Sequence, residues 1–195
     1  MVQGAGRPTV PAPVHRPEAV TSPVVSPVVS PASRVPPTYL SIPAIGISQH
    51  LLRLGVHADR TVEVPAPSDA AYPGWFRLGP TPGQVGSAVI LGHVDSLQGP
   101  AVFYELRFLR PGNHVDVGRQ DGAVAHFEVR KVATYPNQRF PAHQVYASHG
   151  YAALNLVTCG GVYRPDTGYQ SNVVVYTRLV HLTPPTAAGS SASRS

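Results

Sequence analysis

Short β-branched runs, each closed by proline, glycine or a turn pair, are all that this chain offers a fold, and they exclude long helices. Tyr39-Leu40-Ser41-Ile42 and His50-Leu51-Leu52-Arg53-Leu54 are separated by Pro43 and Gly46. Residues 87–91 follow the turn Pro80-Thr81-Pro82-Gly83. Residues 114–117 and 125–132 alternate apolar with polar, the period of a half-buried strand, and Asp121-Gly122 between them signals a hairpin. Residues 153–158 and 172–180 complete the set, while only 102–109 and 142–146 are open to helix, and both are brief. Many short strands at regular spacing predict a single all-β domain, a barrel or closed sandwich.

The ends read differently. Residues 1–37 are rich in Pro, Val and Ser and carry the tandem repeat Ser22-Pro23-Val24-Val25-Ser26-Pro27-Val28-Val29. Proline fixes φ and removes a donor, so this segment is expected to be an extended, unpacked spacer. Residues 183–195, of Pro, Ala, Gly and Ser, are expected to be a second disordered tail. The folded domain is thus expected over 38–182. No stretch approaches the ~20 apolar residues that cross a bilayer, and the opening lacks the charged-then-apolar profile of a signal peptide.

Composition removes several functions. One cysteine excludes an internal disulfide and a Cys-rich zinc site. The nine histidines are scattered without a metal-ligand spacing, so no metal is expected. No phosphate-cradling glycine loop occurs, so no nucleotide cofactor is expected either. The net charge of +5 reflects few acids rather than basic clusters. Nucleic-acid binding therefore has little support, while work beside an anionic cell surface fits.

Two strands end in reactive side chains. Leu154-Asn155-Leu156-Val157-Thr158 leads into Cys159-Gly160-Gly161, and Val89-Ile90-Leu91-Gly92 leads into His93-Val94-Asp95. The aliphatic runs bury the strands, and the glycines are expected to turn the chain and let a ligand approach. A thiol and an imidazole delivered to one sheet rim are the parts that cysteine-based acyl transfer needs. Asp95 either orients His93 or caps the turn at Ser96.

Seven motifs stand in order along the chain: Pro73-Gly74-Trp75-Phe76, Gly79-Pro80 to Gly83, Ala88-Val89-Ile90-Leu91-Gly92-His93-Val94-Asp95 and Gly99-Pro100-Ala101-Val102-Phe103-Tyr104, then Leu109-Arg110-Pro111-Gly112, Leu156-Val157-Thr158-Cys159-Gly160-Gly161 and Asn172-Val173-Val174-Val175. In order and spacing they resemble the sortases, most closely a class F-like branch of actinobacteria, with class E next. The resemblance covers 39–182. It implies an eight-stranded β-barrel and a Cys/His/Arg constellation acting on a Leu-Pro-x-Thr-Gly-type sorting signal, without a cofactor. Its implied partners are surface proteins carrying that signal and a peptidoglycan-precursor or pilin amine. The implied location is the outer face of the membrane or the wall, as a monomer. Such enzymes are usually tethered by an N-terminal transmembrane helix and a spacer. The chain as read has the spacer alone, so membrane attachment is expected only through an anchor outside it.

The resemblance assigns Cys159 as nucleophile and His93 as proton donor and acceptor. The usual place for the arginine, at the start of the strand after the cysteine, holds Gln170-Ser171-Asn172. Arg164, five residues past Cys159, is the expected substitute, folding back over the thiol from a loop. Arg178 is expected to lie about 20 Å from the rim, at ~3.3 Å per residue along the strand. Two other readings stand beside this one. An L,D-transpeptidase is echoed by Ser148-His149-Gly150 but has Tyr151 where its cysteine belongs. A non-catalytic wall-binding module would have lost Cys159 or His93.

Overall fold

A computed structural model describes residues 34–185. Most of the expected spacer and tail therefore lie outside the described residues. Arg34 and Pro36, counted above with the spacer, touch the fold. An Arg34 Nη2 donates to the Arg77 carbonyl at 2.7 Å, and the Pro36 carbonyl accepts from the Gln120 N–H at 2.9 Å.

The fold is all-β. In chain order its main strands are β1 (Pro37–Ile42), β2 (Ile47–His50), β3 (Leu52–Leu54), β4 (Gly74–Phe76) and β5 (Gly86–Leu91). A small ribbon of β6 (Asp95–Ser96) and β7 (Gly99–Pro100) follows, then β8 (His114–Arg119), β9 (Val124–Pro136), β10 (Ala152–Arg164) and β11 (Gly168–Thr183). Of the two segments open to helix, 142–146 forms α1 (Ala142–Tyr146), the one α-helix among the described residues. The other, 102–109, holds only a 3-10 turn, Leu106–Phe108.

Nine strands form one sheet in the order β2-β1-β8-β9-β11-β10-β5-β4-β3. Its two edges, β2 and β3, are consecutive in the chain and separated by Leu51 alone. The Leu51 N–H donates to the Thr38 carbonyl on one side, and the Leu52 N–H to the Pro73 carbonyl on the other, at 3.0 and 2.9 Å. The expected strand 50–54 is thus one segment that leaves the first edge and joins the last. Counted so, the nine strands are the eight expected of a barrel, nearly closed on itself.

The barrel interior is filled by alternate residues of each strand, among them Leu40, Ile90, Phe127, Leu154 and Val175, with Trp75 and Phe103. The opposite faces of β5 and β10 are covered as well. Val89, Leu91 and Val157 pack beneath Val145 of α1. Burial on both faces explains why these two strands read as unbroken apolar runs. They are the strands that carry the reactive side chains.

Candidate functional site

β5 and β10 run parallel, with Leu91 opposite Val157. His93 and Cys159 each stand two residues beyond that pair, so both lie past the same end of the parallel seam. Parallel strands run in one direction, which is why two distant segments present their reactive residues toward one end.

Gly92 makes the exit possible. Its N–H donates to the Val157 carbonyl at 3.2 Å, and a Cβ there would sit 2.6 Å from Cδ2 of buried Phe103. Gly92→Ala is therefore an overpacking change, expected to cost about 1–3 kcal/mol. Calorimetry should show a fall in Tm of several degrees; an unchanged Tm would mean that Phe103 moves freely.

His93 is half-buried, and its Nε2 lies 2.6 Å from the Pro65 carbonyl. A carbonyl only accepts, so Nε2 carries the proton and Nδ1 is left for chemistry. The orienting partner of His93 is thus a backbone carbonyl rather than Asp95. The turn beyond Asp95 is made by Ser96, whose Oγ accepts from the Gln98 N–H at 3.2 Å. Asp95 instead accepts a short hydrogen bond from the Tyr169 hydroxyl, which pushes the Tyr169 pKa up to about 12.

Cys159 does not end its strand. Gly160 stays paired with Ser171, and the register shifts at Gly161 (φ +80°) and Val162 before β10 continues to Arg164. This corrects the expected glycine turn: only glycine enters that left-handed conformation cheaply, so Gly161 bulges the strand without reversing it. Arg164 pairs with Gly168 at the far end of the β10–β11 hairpin, about 16 Å along the strand from the thiol at ~3.3 Å per residue. Asn172 lies directly opposite Cys159, and its Nδ2 donates to Asn137 Oδ1 at 2.9 Å.

The arginine that shares a cavity with Cys159 is Arg107. A cavity of about 290 Å³ is lined by Cys159, Gly160, Gly161, Thr158, Arg107 and Tyr104, among others. Arg107 stacks over the Tyr104 and Phe108 rings at 5.1 and 4.7 Å, and no carboxylate pairs with it among the described residues. The sequence held a signal for it. Phe103, Leu106 and Leu109 are buried at every third position, the repeat of a 3-10 turn, which sets Tyr104 and Arg107 on the next stripe. Thr158, 4% exposed, lines the same cavity, and its hydroxyl has no hydrogen-bond partner among the described residues.

His93 lines a neighbouring cavity of about 560 Å³ with Asp95, Leu97, Pro67 and Tyr163. Asp95 bears on both sites. Cys159 keeps an exposed face, but the protein packed around the thiol desolvates it and pushes its pKa up, and the Asp95 carboxylate pushes it further in the same direction. Removing that negative charge in Asp95→Asn is expected to lower the thiol pKa. It should therefore move the pH profile of iodoacetamide alkylation to lower pH. Burial, the larger cause, keeps the profile above that of a free thiol. A profile that stays in place would separate Asp95 from the thiol.

A family model described as "Sortase domain" matches residues 40–180. The chain belongs to the sortase family. Members of this family are cysteine transpeptidases, and Cys159 is the one cysteine of this sortase. No curated protein sequence matches it. Among solved structures it is similar to sortase A of Listeria monocytogenes, at 14% identity and TM-score 0.58, covering 79% of this chain and 92% of that one. A lid mutant of sortase A from Corynebacterium diphtheriae shares 17% identity at TM-score 0.60, covering 78% and 74%. Sortase C of Streptococcus pneumoniae, described in terms of catalysis and pilin substrate specificity, shares 21% at TM-score 0.57, covering 76% and 68%. These likenesses belong to the fold. In this sortase the strand position opposite the thiol carries asparagine.

Proposed function

We propose that this sortase, of the class F-like branch, cleaves a Leu-Pro-x-Thr-Gly-type sorting signal at Cys159 and transfers the acyl product to an amine. The observation that carries this reading is the shared offset of His93 and Cys159 beyond the paired residues Leu91 and Val157. In the first step Cys159 passes its proton to Nδ1 of His93, its sulfur bonds to the threonine carbonyl carbon, and the C–N bond to glycine breaks. His93 supplies the proton that leaves with the glycine amine, and later takes one from the incoming amine. The oxyanion formed in between needs a cation in the cavity of the thiol. Its position there supports Arg107 for that role, which the sequence reading gave to Arg164.

The substrate's extended backbone has two further handholds. Thr158 offers a buried hydroxyl, whose unmet hydrogen-bonding capacity a peptide amide would fulfil. Leu97, Tyr163 and Pro67 give the neighbouring cavity an apolar wall suited to the leucine and proline of the signal. The family resemblance supplies the rest of the reading: donor proteins on the cell surface and a wall or pilin amine as acceptor, with the enzyme working outside the membrane as a monomer. The L,D-transpeptidase reading gains nothing, because Tyr151 lies under Arg178 rather than at the rim.

The test is incubation with a panel of sorting-signal peptides and amines, read by mass spectrometry. A thioester adduct on Cys159 and a Thr–amine ligation product are the expected results. Unmodified peptides throughout, with a folded protein, would overturn the reading and favour a non-catalytic wall-binding barrel.

A further inference from the structure

On the outer face of β9, β11 and β10, away from the thiol, lies a groove of about 550 Å³. Its floor is Ala153, Asn155 and Thr177, all buried, and its walls carry Arg130, Lys131 and Arg178 with the rings of Tyr151 and Tyr176. No carboxylate lines it among the described residues. Such a concentration of one charge sign around two aromatic rings is not what a solvated strand face needs.

A β-bulge builds the wall. β9 pairs with β11 through Val129 opposite Thr177 and Lys131 opposite Tyr176, which leaves Arg130 as an extra residue. In a regular strand, neighbours point to opposite faces, and one of these two cations would enter the core. Here Val129 is buried in the core, Val132 packs against it, and Arg130 and Lys131 between them are both exposed. A bulge costs ladder pairing and re-aims a side chain, so it sets two successive cations on one face.

The pairing of these charges is incomplete. Arg130 meets Glu128 at 2.9 Å. Lys131 reaches only the Tyr135 hydroxyl, at 3.5 Å, and lies 5.8 Å from the Tyr176 ring. Arg178 stacks over Tyr151 at 4.8 Å and has no ion pair among the described residues. The floor is satisfied internally: Asn155 Nδ2 donates to the Val145 carbonyl at 2.7 Å, and Thr177 Oγ1 to the Leu154 carbonyl at 2.8 Å. What remains unspent is positive charge above a rigid floor.

We infer that this groove binds a phosphate-bearing polyol chain, with Lys131 and Arg178 holding successive phosphates and the tyrosine rings packing the polyol carbons between them. Guanidinium and ammonium groups recognise phosphate oxygens. The rings and the Gln144 amide suit the CH and OH groups of a polyol. The inference stands apart from the reaction proposed for Cys159, since the groove shares no lining residue with either rim cavity.

The experiment measures binding of a short poly(glycerol phosphate) to the full chain by calorimetry over a series of salt concentrations. The variants are Lys131→Gln/Arg178→Gln and, as a control with an exposed cation elsewhere, Arg53→Gln. The double variant should bind about tenfold or more weaker. Its salt slope should be shallower by about two, one for each lost charge contact. Arg53→Gln should bind like the parent, and peptide turnover should be the same in all three. The inference is overturned if the double variant binds like the parent or if Arg53→Gln weakens binding equally. It is also overturned if inorganic phosphate or single-stranded DNA binds as tightly at equal phosphate concentration. A melting curve on each variant keeps misfolding apart from lost binding.

Discussion

Cys159→Ala abolishes peptide cleavage and leaves Tm close to that of the parent. Cys159 is exposed at the rim, outside both apolar clusters, so losing its sulfur removes little packing. Alanine keeps the β-carbon against the sheet, and the stability cost should stay below ~1.5 kcal/mol. Cleavage has no other route, because the chain contains no second thiol. The measurement is single-turnover hydrolysis of a sorting-signal peptide, with a thermal melt on the same sample. Turnover within about tenfold of the parent would dismiss Cys159 as nucleophile, since loss of an attacking group costs far more than one general acid–base contribution.

Arg107→Ala lowers kcat by roughly 10²–10³-fold and changes KM little, the signature of a contact made mainly in the transition state. Arg107 lines the cavity of the thiol and has no carboxylate partner among the described residues, so its charge is available to an oxyanion. Arg164→Ala, at the exposed hairpin end, should alter neither constant by more than about twofold, as expected of a surface charge. Arg178→Ala should be equally silent, because Arg178 pairs with Ala153 at the opposite end of β10. Steady-state kinetics on the three variants decides the matter. An inactive Arg164→Ala beside an active Arg107→Ala would return the role to the hairpin.

The legible parts of this molecule were those governed by local pattern. The aliphatic runs ending at Leu91 and Thr158 announced two buried strands, and the motif order announced the barrel. Helix α1 fell where expected. Four features escaped, each because its cause is not local. Leu51 breaks an apolar run that looks continuous, since its flanking amides are claimed by opposite edges of the sheet. Gly160-Gly161 looks like a turn, yet the pairing of β11 carries β10 onward past a bulge. Arg107 sits more than fifty positions before the cysteine, and only the docking of its 3-10 turn brings it to the cavity that Cys159 lines. The tautomer of His93 was likewise beyond reach, because the carbonyl that sets it belongs to the distant Pro65.

The parallel seam between β5 and β10 also dictates when the chain becomes an enzyme. The β8–β9 and β10–β11 pairs are joined by short turns and can zip on the microsecond scale of hairpins. β5 and β10 have β6 through β9 and α1 strung between them, so their union carries a large loop-closure cost and comes late. Until that seam forms, thiol and imidazole belong to separate pieces of chain. A refolding population would accordingly regain its hairpin signals first and its turnover last, with the delay between them timing the closure of a single strand pair.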